Sequence, residues 1–342
     1  MSQHSQRKDD HLKLAKKLFS SSHNELNQVH LMRPVLPEIA LSEISLTTKL
    51  FNKIVSAPFF INAMTGGSAN AEVINRRLAQ AAAKENIAMS LGSASILEKE
   101  PKQLNSFLVA RQENPHGFLF ANVNPNTSPK TAAKIVKILS ADALQIHLNV
   151  LQEIVMPEGD RNFHWLDNLK RIQDSVEVPV ILKEVGNGIS KKSLAFLKSN
   201  GFEYIDIGGS GGTDFATIEN NRREKNKLNF IDDLNLSTAK CLLGAQENPP
   251  EILISSGGIT TSMDIFKSLI LGADFVGVAN LFLQHADSTT NLIQLIQQLK
   301  SELTTLCAIF GISDFSSISN IDYYLDSDLF NYFKQINTKK VD

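Results

Sequence analysis

Cysteine is scarce in this sequence, because the 342 residues include only two, Cys241 and Cys307. They are far apart in the chain and lie in stretches of helical character. They therefore offer neither a disulfide framework nor the paired spacing of a zinc site. We expect both thiols to be inert and to lie in or near the core.

An excess of either charge is also missing, since 34 Lys and Arg residues face 36 Asp and Glu residues and the formal net charge is -2. This balance gives no electrostatic reason to expect a nucleic acid or a membrane surface as a partner. No apolar run approaches the length of a membrane span. The N-terminus carries Asp9 and Asp10 and lacks an apolar signal core, so we expect a cytoplasmic protein.

The sequence does contain a series of short apolar runs that are rich in β-forming residues. Most are nearly continuous, which is typical of parallel strands covered on both faces. The eight runs are Ile54–Ile61, Ile87–Leu91, Phe118–Val123, Ala143–Leu148, Val178–Val185, Tyr204–Ile207, Glu251–Ser255 and Asp274–Ala279. Eight strands predict an α/β fold, a (β/α)8 or TIM barrel. A doubly wound sheet is the alternative, but it would need only five or six strands.

Amphipathic stretches between the runs predict the crossover helices. The four clearest are Asn70–Asn86, Pro129–Leu139, Ser190–Ser199 and Thr261–Leu271, and the last opens with a Thr/Ser capping signal.

The domain organisation follows from where the strands begin and end. We expect residues 1–40 to form an N-terminal arm and residues 41–342 to form the barrel, with a helical extension after the eighth strand. One gap between strands is longer than the rest and holds a polar insertion, Glu219–Ile231. We interpret it as a solvated loop, with an active-site lid as the alternative.

Glycine-containing turns follow the last two predicted strands. They are Ser256–Thr261 and Gly277–Asn280. Backbone N–H groups at such turns, together with a following helix N-terminus, can cradle a phosphate. The active site of a (β/α)8 barrel lies at the carboxyl ends of the strands, and a phosphate is commonly held at strands 7 and 8. Ordinary turn formation explains either segment taken alone.

The fourth predicted strand ends in a polar cluster of His147, Asn149, Gln152 and Glu153. Because buried polar groups need partners, this cluster indicates a binding or catalytic site. Glu153 is a candidate base. It lacks the neighbours of an all-protein metal site, but it could hold Mg2+ if substrate phosphates and water supply the other ligands. A lone His147 would more often be a satisfied core histidine.

Lys183 ends an otherwise apolar strand, so it needs an anionic partner or a lowered pKa. It could form a Schiff base, act as a base or face an electron-rich ring; the alternative is an ion pair with Glu184 or another nearby carboxylate.

Near the N-terminus, Arg7, Lys8 and His11 belong either to a disordered polar tail or to an arm that folds over the barrel mouth and clamps an anionic substrate.

Taken together, these segments resemble the type 2 isopentenyl-diphosphate isomerases, which are FMN-dependent (β/α)8 enzymes. The resemblance runs from Arg7 to about Leu283. The motifs that carry it are Arg7-Lys8-x-x-His11, Ala63-Met64-Thr65-Gly66-Gly67, Gly92-Ser93, Ala121-Asn122, His147-Leu-Asn149-x-Leu-Gln152-Glu153, Lys183-Glu-Val-Gly186-x-Gly188, Gly211-Gly212-Thr213-x-Phe-x-x-Ile-Glu219 and Ser256-Gly257-Gly258.

The resemblance implies roles for individual residues. The implied FMN contacts are Ala63, Met64, Thr65, Ser93, Asn122, Lys183, Thr213, Gly257, Gly258, Ala279 and Asn280. The implied substrate contacts are Arg7, Lys8, His11, Ser93, Asn149 and Gln152, with His147 and Gln152 in the catalytic centre and Glu153 as the Mg2+ ligand.

The implied activity is the interconversion of isopentenyl and dimethylallyl diphosphate by a homo-oligomer, a tetramer or octamer. Reduced FMN, Mg2+ and NAD(P)H as the reductant would be its cofactors, and neither nucleic acid nor membrane would be a partner.

Two segments depart from the family's pattern, and both fall at the expected substrate mouth. After Gly92-Ser93 the family usually has a Gln, often followed by a long polar residue, whereas this chain has Ala94 and Ser95; Asn124 stands where the family has a Gly. Two other functions stay open. One is an FMN-dependent 2-hydroxy-acid oxidase, whose His and Arg turn is missing here, and the other is a barrel that binds FMN or phosphate without catalysis.

Overall fold

Eight parallel strands close into a barrel in the computed structural model, which describes residues 8–9, 13–15, 17 and 23–338. The described residues form twelve strands, of which β4 to β11 make up the barrel: β1 (Val29–Leu31), β2 (Thr48–Leu50), β3 (Lys53–Val55), β4 (Phe59–Ile61), β5 (Ala88–Ser90), β6 (Leu119–Val123), β7 (Ala143–Leu148), β8 (Val180–Glu184), β9 (Tyr204–Asp206), β10 (Ile252–Ser256), β11 (Phe275–Val278) and β12 (Tyr323–Leu325). Strands β4 to β11 pair in chain order, and β11 closes the ring on β4. The predicted (β/α)8 fold is confirmed, because a doubly wound sheet would stay open.

Helices follow the strands and cover the outside of the barrel. They are α1 (Ala69–Glu85), α2 (Asn105–Glu113), α3 (Pro129–Leu139), α4 (Val150–Val155), α5 (Leu166–Asp174), α6 (Lys191–Ser199), α7 (Phe215–Arg222), α8 (Thr238–Ala245), α9 (Ser262–Ile270), α10 (Asn280–Gln284), α11 (Thr289–Phe310) and α12 (Ser327–Thr338). In the described ranges, no helix combines the length and the apolarity that crossing a bilayer requires.

Hydroxyl side chains begin the four helices that the sequence predicts. Ser68, Ser128, Ser190 and Thr261 each accept a hydrogen bond from a first-turn N–H group of α1, α3, α6 and α9. Such caps satisfy donors that the helix itself leaves free. The capping signal at Thr261 is confirmed as a capping box with Asp264.

The first predicted strand is wrong as a single element. Its early part, β3, pairs antiparallel with β2, and only Phe59–Ile61 enters the barrel as β4. Pro58 separates the two parts, and a proline lacks the N–H group that a ladder needs. The β2–β3 hairpin packs Leu50 and Val55 against the aromatic core of the barrel.

The C-terminal extension holds part of the N-terminal segment, since β12 pairs antiparallel with β1. The division into an arm of residues 1–40 and a barrel of residues 41–342 stays a prediction.

Both cysteines are free and buried, as expected. Burial raises the pKa of Cys241 to about 12 and that of Cys307 to about 11, so both remain protonated thiols at neutral pH.

The polar insertion is not entirely a solvated loop. Glu219 and Asn220 belong to α7 and are buried, and the Glu219 carboxylate forms an ion pair with Arg222. The interpretation as a solvated loop was wrong for these residues. A carboxylate can be buried when a neighbouring arginine of the same helix neutralises its charge. Whether the segment acts as a lid stays a prediction.

In six of the eight barrel strands, the inward side chain changes from apolar to polar two residues further along the chain. In β9 the half-buried Tyr204 precedes Asp206, and in β11 Phe275 precedes Gly277, which has no side chain. The apolar layer near the amino ends is Phe60, Ala88, Phe120, Ala143, Ile181, Ile254 and Phe275. The layer above it is Asn62, Ser90, Asn122, Gln145, Lys183, Asp206, Ser256 and Gly277. Alternate residues of a strand share one face, so a two-residue step moves from one layer to the next.

We expect Phe120→Ala to lower the free energy of unfolding by about 3 to 5 kcal/mol, because it empties a packed aromatic site. Phe120 is fully buried, and its ring centroid lies 5.0 Å from that of Phe60 and 4.8 Å from that of Phe118. Urea unfolding measures the change. Phe196→Ala on α6, where the ring is 53% exposed, is the matched control and should shift stability by about 0.5 kcal/mol or less. Equal effects of the two substitutions would contradict this assignment of the core.

Candidate active site

One open cavity lies above the polar layer, at the carboxyl ends of the barrel strands. The predicted site residues that line it are Lys8, Ala63, Met64, Ser93, Asn122, His147, Asn149, Gln152, Glu153, Lys183, Thr213, Gly257, Gly258, Ala279 and Asn280. Arg7 and His11 lie outside the described residues. The structure therefore brings nearly all the described candidates into one site, as a (β/α)8 barrel does with its strand ends.

Thr65 is the exception, because it is buried away from the cavity. Its hydroxyl donates to the Asn75 side chain on α1, and its carbonyl accepts from the N–H of Gly92 at 2.7 Å. Its neighbours Met64 and Gly66 line the cavity instead. Thr65 thus fixes the turn after β4 against the turn after β5, and its contact with FMN stays a prediction.

Lys183 forms an ion pair with Asp206 at the floor of the cavity. Their Nζ and Oδ2 atoms lie 3.0 Å apart, and the Lys183 side chain is 9% and the Asp206 side chain 0% exposed. Lys183 also donates to Ser256 Oγ at 3.2 Å, and Ser256 donates in turn to Asp206 Oδ1 at 2.5 Å. Of the alternatives for Lys183, a nearby carboxylate is confirmed as its partner. A buried charge is costly unless it is paired, so a lysine can occupy this position only because Asp206 is beside it.

A chain of side-chain hydrogen bonds continues from this pair across the barrel. Asn62 Nδ2 donates to Asp206 at 2.9 Å, and Asn62 Oδ1 accepts from Gln145 at 3.5 Å. Gln145 Oε1 accepts from Asn122 Nδ2 at 3.3 Å, and Asn122 Oδ1 lies 2.8 Å from His147 Nδ1. Sequence reasoning missed Asn62, Gln145 and Asp206. Their position in the sequence could have indicated them, since each lies two residues after an inward-facing apolar or aromatic residue of the same strand.

His147 is neutral at physiological pH. Burial lowers its pKa to about 3, and the positive charges of Lys8 and Lys183 act in the same direction. The Asn122 amide donates to Gln145, so its oxygen faces His147 and accepts from the Nδ1–H group. This tautomer follows from the network. It leaves Nε2 as an acceptor, so His147 can orient a ligand but does not carry a spare proton.

The Glu184 carboxylate fixes the turn that follows β8 and is not the ion-pair partner of Lys183, which donates instead to the backbone carbonyl of Glu184 at 3.0 Å. Its Oε2 accepts the N–H groups of Val185, Gly186, Asn187 and Gly188 at 2.6, 2.8, 2.6 and 3.1 Å. Burial raises its pKa to about 7, although these hydrogen bonds and Lys183 act in the opposite direction. The result is a rigid turn, and Val185 and Gly186 from it line the cavity.

The predicted cradle after β10 has the backbone conformation that glycine allows. Gly257 and Gly258 have φ values of 109° and 67°. A Cβ atom on Gly257 would lie 1.8 Å from the carbonyl oxygen of Gly209, so the turns after β9 and β10 pack backbone against backbone. Across the cavity wall, Asn280 donates to Thr213 Oγ1 at 2.9 Å. A wall built this way fits a phosphate group, since glycines let the backbone approach a bound ligand closely.

Asn149 and Glu153 form the opposite, acidic part of the site. Asn149 Nδ2 donates to Gln152 Oε1 at 3.2 Å and to Glu153 Oε1 at 2.9 Å, while Glu153 Oε2 accepts the N–H of Asp160 at 2.7 Å. Asn149 Oδ1 is buried and has no hydrogen-bond partner among the described residues, which indicates that a ligand supplies a donor. The described residues contain no group of three or more His, Cys, Asp or Glu that could hold a metal. Glu153 is therefore suited to Mg2+ only with ligands from substrate and water.

The described part of the N-terminal arm lies at the barrel mouth. Asp9 is buried and accepts hydrogen bonds from Ser68 at 2.6 Å and Asn70 at 3.1 Å, both at the start of α1. This contact holds the preceding residue, Lys8, beside the cavity that it lines. Of the two interpretations of the segment, the positions of Lys8 and Asp9 agree with an arm that folds over the barrel mouth.

We expect the stability of the protein to fall as pH decreases from 6.5 towards 3, in part because of His147. The unfolded chain binds a proton at this residue below pH 6.5 and the folded chain only below about 3. One proton corresponds to about 1.4 kcal/mol per pH unit. Urea unfolding between pH 4.5 and 6 should show this extra slope in the wild type and not in His147→Gln. The exposed His164 is the control, and His164→Gln should keep the slope; parallel slopes for all three proteins would refute the neutral His147.

Comparisons with known proteins agree with this site. Residues 98–323 match the model of the FMN-dependent dehydrogenase family. The isopentenyl-diphosphate delta-isomerase of Limosilactobacillus reuteri is 41% identical over 98% of both chains, and that of Lactococcus lactis is 38% identical over 97% of both. Among solved structures, a mandelate oxidase with an FMN monooxide adduct superimposes with a TM-score of 0.62 at 13% identity, covering 92% of this chain and 99% of its own. At that identity the likeness shows the fold alone.

The chain belongs to the FMN-dependent dehydrogenase family and, within it, to the isopentenyl-diphosphate delta-isomerases, the type 2 enzymes that its motifs resemble.

Proposed function

We propose that this protein interconverts isopentenyl and dimethylallyl diphosphate, with FMN in its reduced form and Mg2+ as cofactors and NAD(P)H as the reductant. The observation that carries the proposal is that one cavity combines the glycine cradle of Gly257 and Gly258 with the Asn149, Gln152 and Glu153 cluster. The first fits a cofactor phosphate and the second a metal-bound diphosphate. The homo-oligomeric state and the cytoplasmic location stay predictions.

The reaction moves one carbon–carbon double bond and needs no net oxidation. A proton is added to the terminal methylene carbon of isopentenyl diphosphate, positive charge develops on the tertiary carbon, and a proton leaves the carbon on the diphosphate side. Since neither carbon is appreciably acidic or basic, the site must exclude water from the developing cation. When bound, reduced FMN supplies an electron-rich face and the groups that exchange these protons.

The protein's own groups in this cavity are arranged for holding ligands. His147 is neutral and hydrogen-bonded to Asn122, and both oxygens of Glu153 accept hydrogen bonds. Lys183, which is ion-paired with Asp206, would stabilise negative charge on a reduced ring above it. These residues orient and charge-balance the ligands, which leaves the proton transfers to the cofactor.

The diphosphate end of the substrate would lie between the N-terminal arm and α4. Lys8 lines the cavity from the arm, and Glu153 lies in the first turn of α4. A Mg2+ ion on Glu153 would complete its coordination with diphosphate oxygens and water, in keeping with the preference of Mg2+ for few carboxylates and substrate phosphates. Gln152, one residue earlier, would lie beside the isoprenoid chain.

A 2-hydroxy-acid oxidase is the second candidate, because the solved mandelate oxidases share the fold. That chemistry needs an arginine to bind the substrate carboxylate and a histidine base. Among the described residues that line the cavity there is no arginine, and the single histidine, His147, is hydrogen-bonded into the polar layer. The residues present therefore favour the isomerase.

The function is tested with purified protein, FMN, NAD(P)H and Mg2+. We expect a yellow protein that converts isopentenyl diphosphate into dimethylallyl diphosphate under anaerobic conditions, with no net consumption of NAD(P)H once the flavin is reduced. Product analysis and a flavin spectrum measure both. Oxidation of mandelate or lactate without isomerisation would favour the oxidase, and a protein that fails to take up FMN would refute both functions.

We expect Glu153→Gln to raise the Mg2+ concentration for half-maximal activity by about tenfold or more, since a neutral amide is a poor ligand for this ion. The flavin content should stay unchanged, because Glu153 is outside the glycine cradle. Glu158→Gln is the control, since Glu158 follows α4 but does not line the cavity. An unaltered Mg2+ dependence in Glu153→Gln would remove Glu153 from the metal site.

A further inference from the structure

We infer that Lys99 is a second lysine that binds the diphosphate of the substrate in this protein. The inference rests on the proposed function and deepens it. It starts from the departure at the substrate mouth, where Ala94 and Ser95 stand in place of a Gln and a long polar residue. A site without those side chains needs another source of positive charge or hydrogen bonds for a strongly anionic group.

Neither of the two departing residues can supply that contact. Ala94 is completely buried. The Ser95 hydroxyl already accepts the N–H of Asn124 at 2.8 Å and the hydroxyl of Ser93 at 3.1 Å, and it lies 2.9 Å from Thr127 Oγ1. Three partners saturate one hydroxyl group. Ser95 therefore ties the turn after β5 to the turn after β6 and has no capacity left for a ligand.

The positive charges around the cavity are few. Of the described residues that line it, Lys8, Lys99 and Lys183 are the cations, and Glu98 and Glu153 are the anions. Lys183 is paired with Asp206 at the floor. Among the described lining residues, Lys8 is opposed by two carboxylates and leaves a diphosphate poorly compensated even with one Mg2+ ion on Glu153. Within that described set, Lys99 is the remaining cation that can balance the substrate's charge.

Lys99 is held in position by its backbone, and its side chain is exposed at the mouth. It follows the 3-10 turn Ala94–Glu98, and its N–H donates to the carbonyl of Ile96 at 3.0 Å. No hydrogen bond or ion pair engages its ammonium group within the described part of the chain. An ammonium group with this freedom suits phosphate binding, where lysine acts as a mobile point charge.

The turn that carries Lys99 lies next to Lys8. A Cβ atom placed on Gly67 would lie 3.0 Å from the Ile96 side chain and 3.7 Å from Lys8 Cγ, so both residues pack on the same glycine. Lys8 and Lys99 therefore approach the mouth from the same side, and Glu153 reaches it from the end of β7. A diphosphate between them would have a cation on one side and the metal on the other.

The test compares Lys99→Ala, Lys99→Arg and Lys102→Ala in the FMN-loaded, reduced protein with Mg2+. Lys102 is the matched control, because it is equally a surface lysine, three residues on, and does not line the cavity. We expect Lys99→Ala to raise the KM for isopentenyl diphosphate by about tenfold, as the loss of a charge-assisted hydrogen bond does. Because the contact is remote from the reacting carbons, kcat should change by less than about twofold. Lys99→Arg should restore most of the KM, and Lys102→Ala should leave it unchanged.

A second measurement separates this inference from the proposed function. Inorganic pyrophosphate is titrated calorimetrically into the FMN-loaded wild type and the same variants with Mg2+ present. Weaker binding in Lys99→Ala alone supports the inference, even if the wild type fails to isomerise and the proposed function falls. An active wild type whose KM and pyrophosphate affinity are both unaffected by Lys99→Ala would overturn the inference and leave the function standing.

Discussion

The buried ion pair between Lys183 and Asp206 is the interaction on which the site depends. Two charges inside a barrel are costly unless they are paired and further hydrogen-bonded, and here Ser256 and Asn62 complete the pairing. The requirement extends outward, because Asn62 needs Gln145, and Gln145 needs Ser90 and Asn122. Even Gly277 belongs to this arrangement, since a Cβ atom there would lie 2.2 Å from Asn62 Nδ2. The burial of one lysine at a strand end thus requires polar partners across the barrel layer that contains it.

This layer also explains why the proposed chemistry belongs to a cofactor. Burial and two neighbouring lysines keep His147 neutral, and the Glu153 carboxylate is oriented by hydrogen bonds from Asn149 and the N–H of Asp160, one to each oxygen. The polar groups are therefore committed to one another and to orienting ligands. Such a site would hold a flat, anionic cofactor in one orientation, and a fixed orientation helps to stabilise a short-lived cation.

The mouth of the barrel is built from segments that are distant in sequence and depend on one another. Asp9 anchors the arm to the start of α1, Asn280 reaches the carbonyl of Ala15, and Ser95 ties the turn after β5 to Asn124. Of the described arm residues, Lys8 thus lines the cavity, and Asp9 and Ala15 hold the segment against elements of the barrel. Since loops at this end change without disturbing the barrel, substrate contacts can differ within a family while the cofactor cradle stays the same.

The sequence alone determined the barrel, because eight nearly continuous apolar runs with helical stretches between them can be buried in few other ways. It also determined most of the site, since strand ends in this fold converge and the polar cluster from His147 to Glu153 stands out against an apolar strand. Only the tertiary structure decided the partner of Lys183, because Glu184 is adjacent in sequence but points to its own turn, whereas Asp206 is adjacent in space. The same holds for Thr65, because its motif does not indicate that its hydroxyl donates to Asn75 on α1. Hydrogen-bond partners across a barrel depend on register and side-chain direction, which apolar periodicity does not encode.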